Sequence, residues 1–475
     1  MKRILLLNAP GPEFLKFEES HIPLAPLYIA SSLRQHGYEV RYIDVHNEEI
    51  LMERAGTAFD LEAYFTGSLS ERLSAWAPDF VCMFVHFSGR FRPAVKLATL
   101  LKAAMPGLPI ITGGIHPTMF AVDIMQDMSC FDYIMKGEAE ASLVEFFAAY
   151  FEGKGSFADV DGLVYRDASG QVVGNKKAKF IEDLDALPFP AYDMVNVKDY
   201  SYDTSKWQNP RNLDFDMTYH LITSRSCPIG CVFCSLFMVH GNRFRPRSPK
   251  NTVDEIEHLY RDYGQSYFSI MDDNFTMNKR RAVEIANEIV RRNLVIQFDM
   301  PHGMFLETVD EELVDALVRA GWIRASVAVE TGSDALRRTM GKKLTSEQIY
   351  RAFDIFKKYE HLRINGCFVL GMPQETRETL GETFEMIKRL ELKNLALHVA
   401  TPFPGTPLYD YCVAHNCFSR KVPQDKLYYC EDFYWYSKTP LIKPFALEVE
   451  DIIEFRTMVY SYVHSQDKGR IAYRD

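Results

Sequence analysis

The chain has 475 residues, 47% of them hydrophobic and 25% charged, with a net charge of −10. That length supplies core for two or three domains, and the negative balance argues against a general nucleic-acid binder, which needs a basic face to exchange for counterions. No apolar run reaches the roughly 18 residues needed to cross a bilayer, so no membrane span is expected.

The N-terminus, Met-Lys-Arg-Ile-Leu-Leu-Leu-Asn, runs straight into a strand with no secretory signal. Residues 3–8, Arg-Ile-Leu-Leu-Leu-Asn, hold a continuous apolar run, the pattern of a strand buried on both faces. A helix follows at about Leu24 to His36, stopped by Gly37. Strands are then predicted at Glu39–Asp44, Phe80–Val85, Pro109–Thr112 and Tyr133–Met135, separated by helix-period stretches such as Val95, Ala98, Leu101 and Met105. The alternation implies a doubly wound parallel-sheet α/β domain over residues 1–175, in which ligands lie outside the carboxyl ends of the strands. The loops found there run from Asn8 through Pro10 to Glu13, from His86 through Ser88 to Gly89, from Gly113-Gly114 through His116 to Pro117, and over Gly137-Glu138. Paired glycines at a strand end let a large flat ligand approach the backbone. No G-x-G-x-x-G follows the first strand, which makes a nicotinamide site the weaker reading.

Residues 176–215 read as a connector, and strands and helices then alternate six times over 216–417. Strands are expected at His220–Thr223, Tyr267–Met271, Val295–Phe298, Ala325–Val329, Cys367–Leu370 and Ala396–Ala400. Helices are expected to begin near Thr252, Asn278, Asp310, Thr345 and Thr379, with capping boxes at Thr252-x-x-Glu255 and Thr345-x-x-Gln348. This predicts a partial (β/α)6 barrel. The segment 418–475 is aromatic, with Tyr428-Tyr429, Phe433-Tyr-Trp-Tyr436, Tyr460 and Tyr462, and a helix is expected over Leu447 to His464.

The first barrel strand leads into Cys227-Pro-Ile-Gly-Cys231-Val-Phe-Cys234. A 4Fe-4S cluster normally takes four thiolates, so a compact set of three leaves one iron open to a substrate or cosubstrate. A structural zinc site would need His220 or His240 as fourth ligand, at unsuitable spacing. Disulfides are disfavoured by the odd count of nine cysteines and the absent signal, which imply reduced thiols and a cytoplasmic location. The other barrel strands end in polar groups on the same face: Asp272-Asp273-Asn274, His302, Glu330-Thr-Gly-Ser333, Gly371-Met-Pro373 and Pro402-Phe-Pro-Gly-Thr406.

These residues resemble a radical S-adenosylmethionine (SAM) core over about 219–410, and Gly-Gly-x-His-Pro-Thr with Lys-Gly-Glu resembles the cobalamin-binding domain that precedes many such enzymes. The resemblance implies that Cys227, Cys231 and Cys234 hold the cluster. It implies that Phe233, Asp272 or Asp273, Glu330, Gly371 and Pro402 meet SAM, one of the two aspartates being structural because neighbouring strand residues alternate. For cobalamin it implies Pro10, Ser88, Gly113, Gly114, His116, Pro117 and Glu138. The D-x-H-x-x-G motif of cobalamin mutases is missing after the first strand; Asp44-Val-His46 follows the second and lacks the glycine. The chemistry implied is a 5′-deoxyadenosyl radical and methylcobalamin acting together in a C-methyltransferase on a small-molecule substrate, with an electron donor such as flavodoxin or ferredoxin. Alternatives are a cyclase or rearrangement enzyme with the same cofactors, and a cobalamin- or redox-sensing binding protein. A methylthiotransferase is disfavoured, since no second cysteine triad or basic C-terminal domain is present. Cys412, Cys417 and Cys430 are irregularly spaced for a second cluster, and Cys82, Cys130 and Cys367 read as packing residues.

Overall fold

The computed structural model describes residues 1–12, 19–205, 207–422, 426–430 and 439–466. Glu13 and Phe433–Tyr436, singled out above, lie outside the described residues. The chain forms two compact units. The first holds residues 1–205 with 238–241 and the described part of 423–434; the second holds the described remainder.

The first unit is built on a seven-stranded sheet in the order β2-β1-β3-β4-β5-β6-β7. Its strands are β1 Arg3–Asn8, β2 Glu39–Asp44, β3 Phe80–Phe84, β4 Ile110–Gly113, β5 Tyr133–Met135, β6 Leu163–Arg166 and β7 Val172–Gly174. The five expected strands are all there and pair in parallel. The last two, which were not anticipated, add an antiparallel edge. Period two along β1 explains its unbroken apolar run: Leu5 and Leu7 enter the core on one face, Ile4 and Leu6 the core on the other. The order reverses between β1 and β3, so the loops after them flank the crevice where such sheets bind ligands.

Gly114 shows how tightly the loop after β4 is shaped. Its φ is +123°, and a Cβ there would lie 2.3 Å from the Val85 carbonyl oxygen. Gly114→Ala is expected to destabilise the first unit by roughly 3 kcal/mol through strain and overlap with backbone. Denaturant unfolding would show it, and an unchanged midpoint would contradict the argument.

The second unit contains a six-stranded parallel sheet in the order β15-β14-β13-β12-β11-β8. It begins with β8 Tyr219–Leu221. A short antiparallel pair, β9 Ser224–Arg225 and β10 Arg245–Pro246, closes the base of the cysteine segment. The arc continues through β11 Tyr267–Ile270, β12 Gln297–Met300, β13 Trp322–Glu330, β14 Arg363–Leu370 and β15 Asn394–Val399. Sequential order with a helix after each strand is the partial barrel expected.

Helix starts follow their caps. Asn278, Asp310 and Thr345 each accept from the backbone N–H three residues on, and Thr345 with Gln348 forms the expected capping box. The expected box at Thr252 is corrected: Ser248 is the N-cap, Pro249 opens the helix Pro249–Asp262, and Thr252 lies inside. Glu255 is not a capping partner, because its buried carboxylate pairs with Arg247. The helix placed near Thr379 begins instead at Arg377, capped by Thr376. The last helix runs over Val449–Gln466. No helix among the described residues is long and apolar enough to cross a membrane.

Candidate active site

The cysteine segment is anchored by the end of β11. Asp272, 1% exposed, accepts from the Thr223 backbone N–H at 2.6 Å, the Thr223 hydroxyl at 2.5 Å and the Ser224 hydroxyl at 2.6 Å. Its carboxylate is engaged in fixing the strand that leads to Cys227. Asp273 instead accepts from the Ser226 N–H at 3.1 Å, at a residue held in the left-handed region with φ +72°. Arg281 supports the same strand from behind, donating to the Thr223 and Arg247 carbonyls.

On its other side the loop is held from far along the chain. Val232 donates to the Met340 carbonyl and its own carbonyl accepts from Leu408, both at 3.0 Å. Phe233 and Val232 pack on an apolar cluster that includes Leu336, Met340, Leu408 and Cys412. The three cysteines are free and partly buried. Burial pushes the Cys231 thiol up to about 12, with the Lys342 charge opposing it and the sulfurs of Cys227 and Cys234 adding to it. Cys227 and Cys234 are also raised, chiefly by burial.

Such thiols remain protonated without a metal, so metal binding must release protons. Among the described residues no three His, Cys, Asp or Glu side chains converge as a single bound ion requires. A cluster asks for a different arrangement, with each thiolate on its own iron. Three soft thiolate donors in one short, partly buried loop fit a 4Fe-4S cluster with one iron left open.

Glu330 ends β13, where a register shift against β14 and a φ of +68° turn its side chain out of the strand pattern. It is 5% exposed and forms an ion pair with Lys342 at 2.7 Å. Lys342 also donates to the Ala328 carbonyl at 3.1 Å. Burial lowers the Lys342 pKa, but Glu330 and the Cys231 sulfur outweigh it and raise the value. This lysine was missed in the sequence, where it sits in an unremarkable Gly-Lys-Lys turn; no local signal marks it.

Arg337 was missed too. Wholly buried, it donates to the Val329 and Leu344 carbonyls at 3.1 Å and also to Asp334 and the Thr331 carbonyl, tying down the turn that carries Glu330. A Cβ on Gly332 would sit 2.3 Å from the Glu382 carbonyl oxygen, so the same turn lies flat against the helix Arg377–Leu390. Gly371 has φ +84° and donates its N–H to buried Glu375; Pro402 is buried. Burial depresses the His302 pKa.

In the first unit the structure brings Ser88, Gly113, Gly114, His116 and Pro117 together at the carboxyl edge of β3 and β4. His116 Nδ1 lies 2.9 Å from the Ser88 hydroxyl, while Nε2 has no hydrogen-bond partner among the described residues. The ring packs between Phe91 and Phe120, and burial lowers its pKa to about 3, so it is a neutral imidazole at working pH. Pro10 is buried in the loop after β1, which Glu49 holds through the Gly11 N–H at 2.7 Å. Asp44 caps the helix Val45–Arg54 through the Asn47 N–H and also accepts from Asn8 and Tyr200, so the Asp44-Val-His46 stretch has a structural account. Glu138 is occupied as well: its carboxylate meets His240 at 2.9 Å and the Ile181 N–H at 3.3 Å. Cys412 and Cys417 are buried side by side in the apolar cluster below the cysteine loop.

A three-thiol loop at the carboxyl end of a partial parallel barrel is the arrangement of a radical SAM core, and the family comparison agrees. The radical SAM superfamily matches residues 221–387, and the B12 binding domain matches residues 14–147. An uncharacterized methyltransferase of Pyrococcus horikoshii is 28% identical over 416 residues, covering 87% of this chain and 84% of that protein. The anaerobic magnesium-protoporphyrin IX monomethyl ester cyclase of Cereibacter sphaeroides is 26% identical over 444 residues, covering 90% and 64%. Among solved structures, the radical SAM methyltransferase TsrM from Kitasatospora setae shares the fold at TM-score 0.69 and 19% identity, over 96% of this chain and 83% of that one. The chain therefore carries both a B12 binding domain and a radical SAM domain, the combination of the cobalamin-dependent radical SAM enzymes.

Proposed function

We propose that the protein is a C-methyltransferase that places a methyl group on an unactivated carbon of a small molecule. The observation that carries the reading is the union, in one chain, of a B12 binding domain and a three-thiol radical SAM barrel. When bound, the cluster would supply the electron that splits SAM into methionine and a 5′-deoxyadenosyl radical, which would become 5′-deoxyadenosine on taking a hydrogen atom from the substrate, and cobalamin would supply a transferable methyl group.

The chain's own residues bind and orient. Cys227, Cys231 and Cys234 hold the cluster. Glu330 is placed to accept from a SAM ribose or ammonium group, with Lys342 balancing its charge. Asp273, Phe233, Gly371 and Pro402 complete the SAM site, and Asp272 acts at one remove by fixing the cysteine strand. Pro10, Ser88, Gly113, Gly114, His116 and Pro117 form the cobalamin site, where His116 offers a neutral nitrogen to the cofactor's edge. Glu138 supports the adjoining loop through His240. The electron donor is a low-potential protein such as ferredoxin or flavodoxin. Nine free cysteines suit the reducing cytoplasm.

The test is anaerobic incubation with SAM, cobalamin, a reductant and candidate substrates, followed by mass analysis. Methyl transfer is expected to yield both S-adenosylhomocysteine and 5′-deoxyadenosine. With substrate turning over, 5′-deoxyadenosine without S-adenosylhomocysteine would replace this reading by cyclisation or rearrangement, the reaction type of the cyclase relative.

A further inference from the structure

Electrons cross protein only over short gaps, so a partner that reduces a cluster must sit where little covers the cluster's ligands. In the second unit two glycines leave the cover over Cys231 thin. Gly230 and Gly341 are both exposed, with φ +73° and +87°. They lie against one another: a Cβ on Gly341 would stand 3.0 Å from the Gly230 carbonyl oxygen and 3.4 Å from the Cys231 Cα. Neither carries a side chain to hold a partner away from Cys231. The segment that contributes Gly341 is basic, with Arg337-Arg338 before it and Lys342-Lys343 after it. Arg337 and Lys342 turn inward to Asp334 and Glu330. Arg338 and Lys343 are exposed and make no ion pair among the described residues. An exposed cation is ordinarily just solvated. Here two of them flank one glycine contact on a chain of net charge −10, which elsewhere repels an acidic partner.

We propose that Arg338, Lys343 and the Gly230–Gly341 contact form the docking surface for the electron donor, an acidic one-electron carrier protein. At each encounter the donor is oxidised by one electron and the cluster is reduced by one, with no proton or bond exchanged. The inference rests on the radical SAM reading of the site but not on methyl transfer, which reduction precedes. The complex is weak and salt-sensitive, because a carrier must leave after each delivery and exposed charges are screened by salt.

The experiment uses flavodoxin as the probe. Wild type, Arg338→Glu/Lys343→Glu and Arg338→Gln/Lys343→Gln are reconstituted anaerobically and checked for iron content. A control, Lys154→Glu/Arg280→Glu, makes the same change in net charge at side chains 77% and 89% exposed. Two quantities are read: the affinity for fluorescently labelled oxidised flavodoxin, and the rate at which cluster absorbance bleaches with reduced flavodoxin or with dithionite. Charge reversal is expected to weaken binding and slow reduction by flavodoxin about tenfold in low salt, and neutralisation to do so less, with the differences closing at high salt. Dithionite needs no docking and should bleach all four proteins alike. The neutral pair decides the matter if the reversed chain holds no cluster. A wild type that takes up no iron overturns the radical SAM reading and the docking surface with it. The docking surface alone is overturned if the iron-loaded wild type does not bind flavodoxin, if charge reversal changes nothing, or if the control or the dithionite rate suffers equally.

Discussion

Cys231→Ala is expected to abolish the iron-sulfur cluster and, with it, all SAM cleavage. The loop offers three thiols, and a cluster that already leaves one iron open has no spare ligand to replace a missing one. The neighbouring acid, Glu330, is engaged with Lys342 at 2.7 Å and is not available as a substitute donor. Iron content after reconstitution should fall from about four atoms per chain to near zero. The fold should survive, because Cys231 is only partly buried and its loop is anchored by Val232 on one side and Asp272 on the other. Circular dichroism should therefore be unchanged while the visible absorbance of the cluster disappears. Full iron content with undiminished 5′-deoxyadenosine production would remove Cys231 from the cluster.

A second large effect is expected at Glu375, which no part of the sequence marks. Its side chain is fully buried, one oxygen accepts from the Gly371 N–H, and the other has no hydrogen-bond partner among the described residues. Burial raises its pKa from 4.5 to about 7, against the pull of the Gly371 and Met372 N–H groups. Below pH 4.5 the carboxyl is protonated in both the folded and the unfolded chain, and the native state keeps its full stability. As the pH climbs from 4.5 toward 7 the unfolded chain releases this proton first, so stability declines across that window by on the order of 3 kcal/mol. Glu375→Gln keeps an acceptor for Gly371 but has nothing to ionise. The variant should unfold at higher denaturant than wild type at pH 8 and at nearly the same concentration at pH 4.5. Parallel profiles for the two proteins would show that Glu375 ionises freely in the fold.

Much of this fold was legible because its signals are periodic. The alternation in β1 that sends Leu5 and Leu7 one way and Ile4 and Leu6 the other is written in the chain as an unbroken apolar run. Caps at Asn278, Asp310 and Thr345 are local chemistry and were readable, whereas Thr252-x-x-Glu255 satisfies the same pattern inside a helix whose true cap lies four residues earlier. The edge strands β6 and β7 are short and only partly apolar, and gave no usable period. At the site, the cysteine spacing and the polar strand ends were visible. Lys342, Arg337 and Glu375 were not, since each works through a backbone carbonyl or amide, or for Lys342 also the Glu330 carboxylate, that only the folded turn brings near. The roles of Asp272 and Asp273 likewise separated only when the hydrogen bonds to Thr223, Ser224 and Ser226 were known.

The backbone bonds at Val232 bear on how the holoenzyme comes into being. One goes to Met340 and the other to Leu408, and the apolar bed beneath the loop reaches Ile442. During synthesis the three cysteines leave the ribosome well before any of these supports exist. The loop can take its final shape only after more than half of the second unit's sequence has followed it, so cluster insertion is expected late. Scaffold proteins that deliver iron and sulfide would then meet a nearly finished barrel, and chains truncated before Leu408 would emerge as colourless apoprotein.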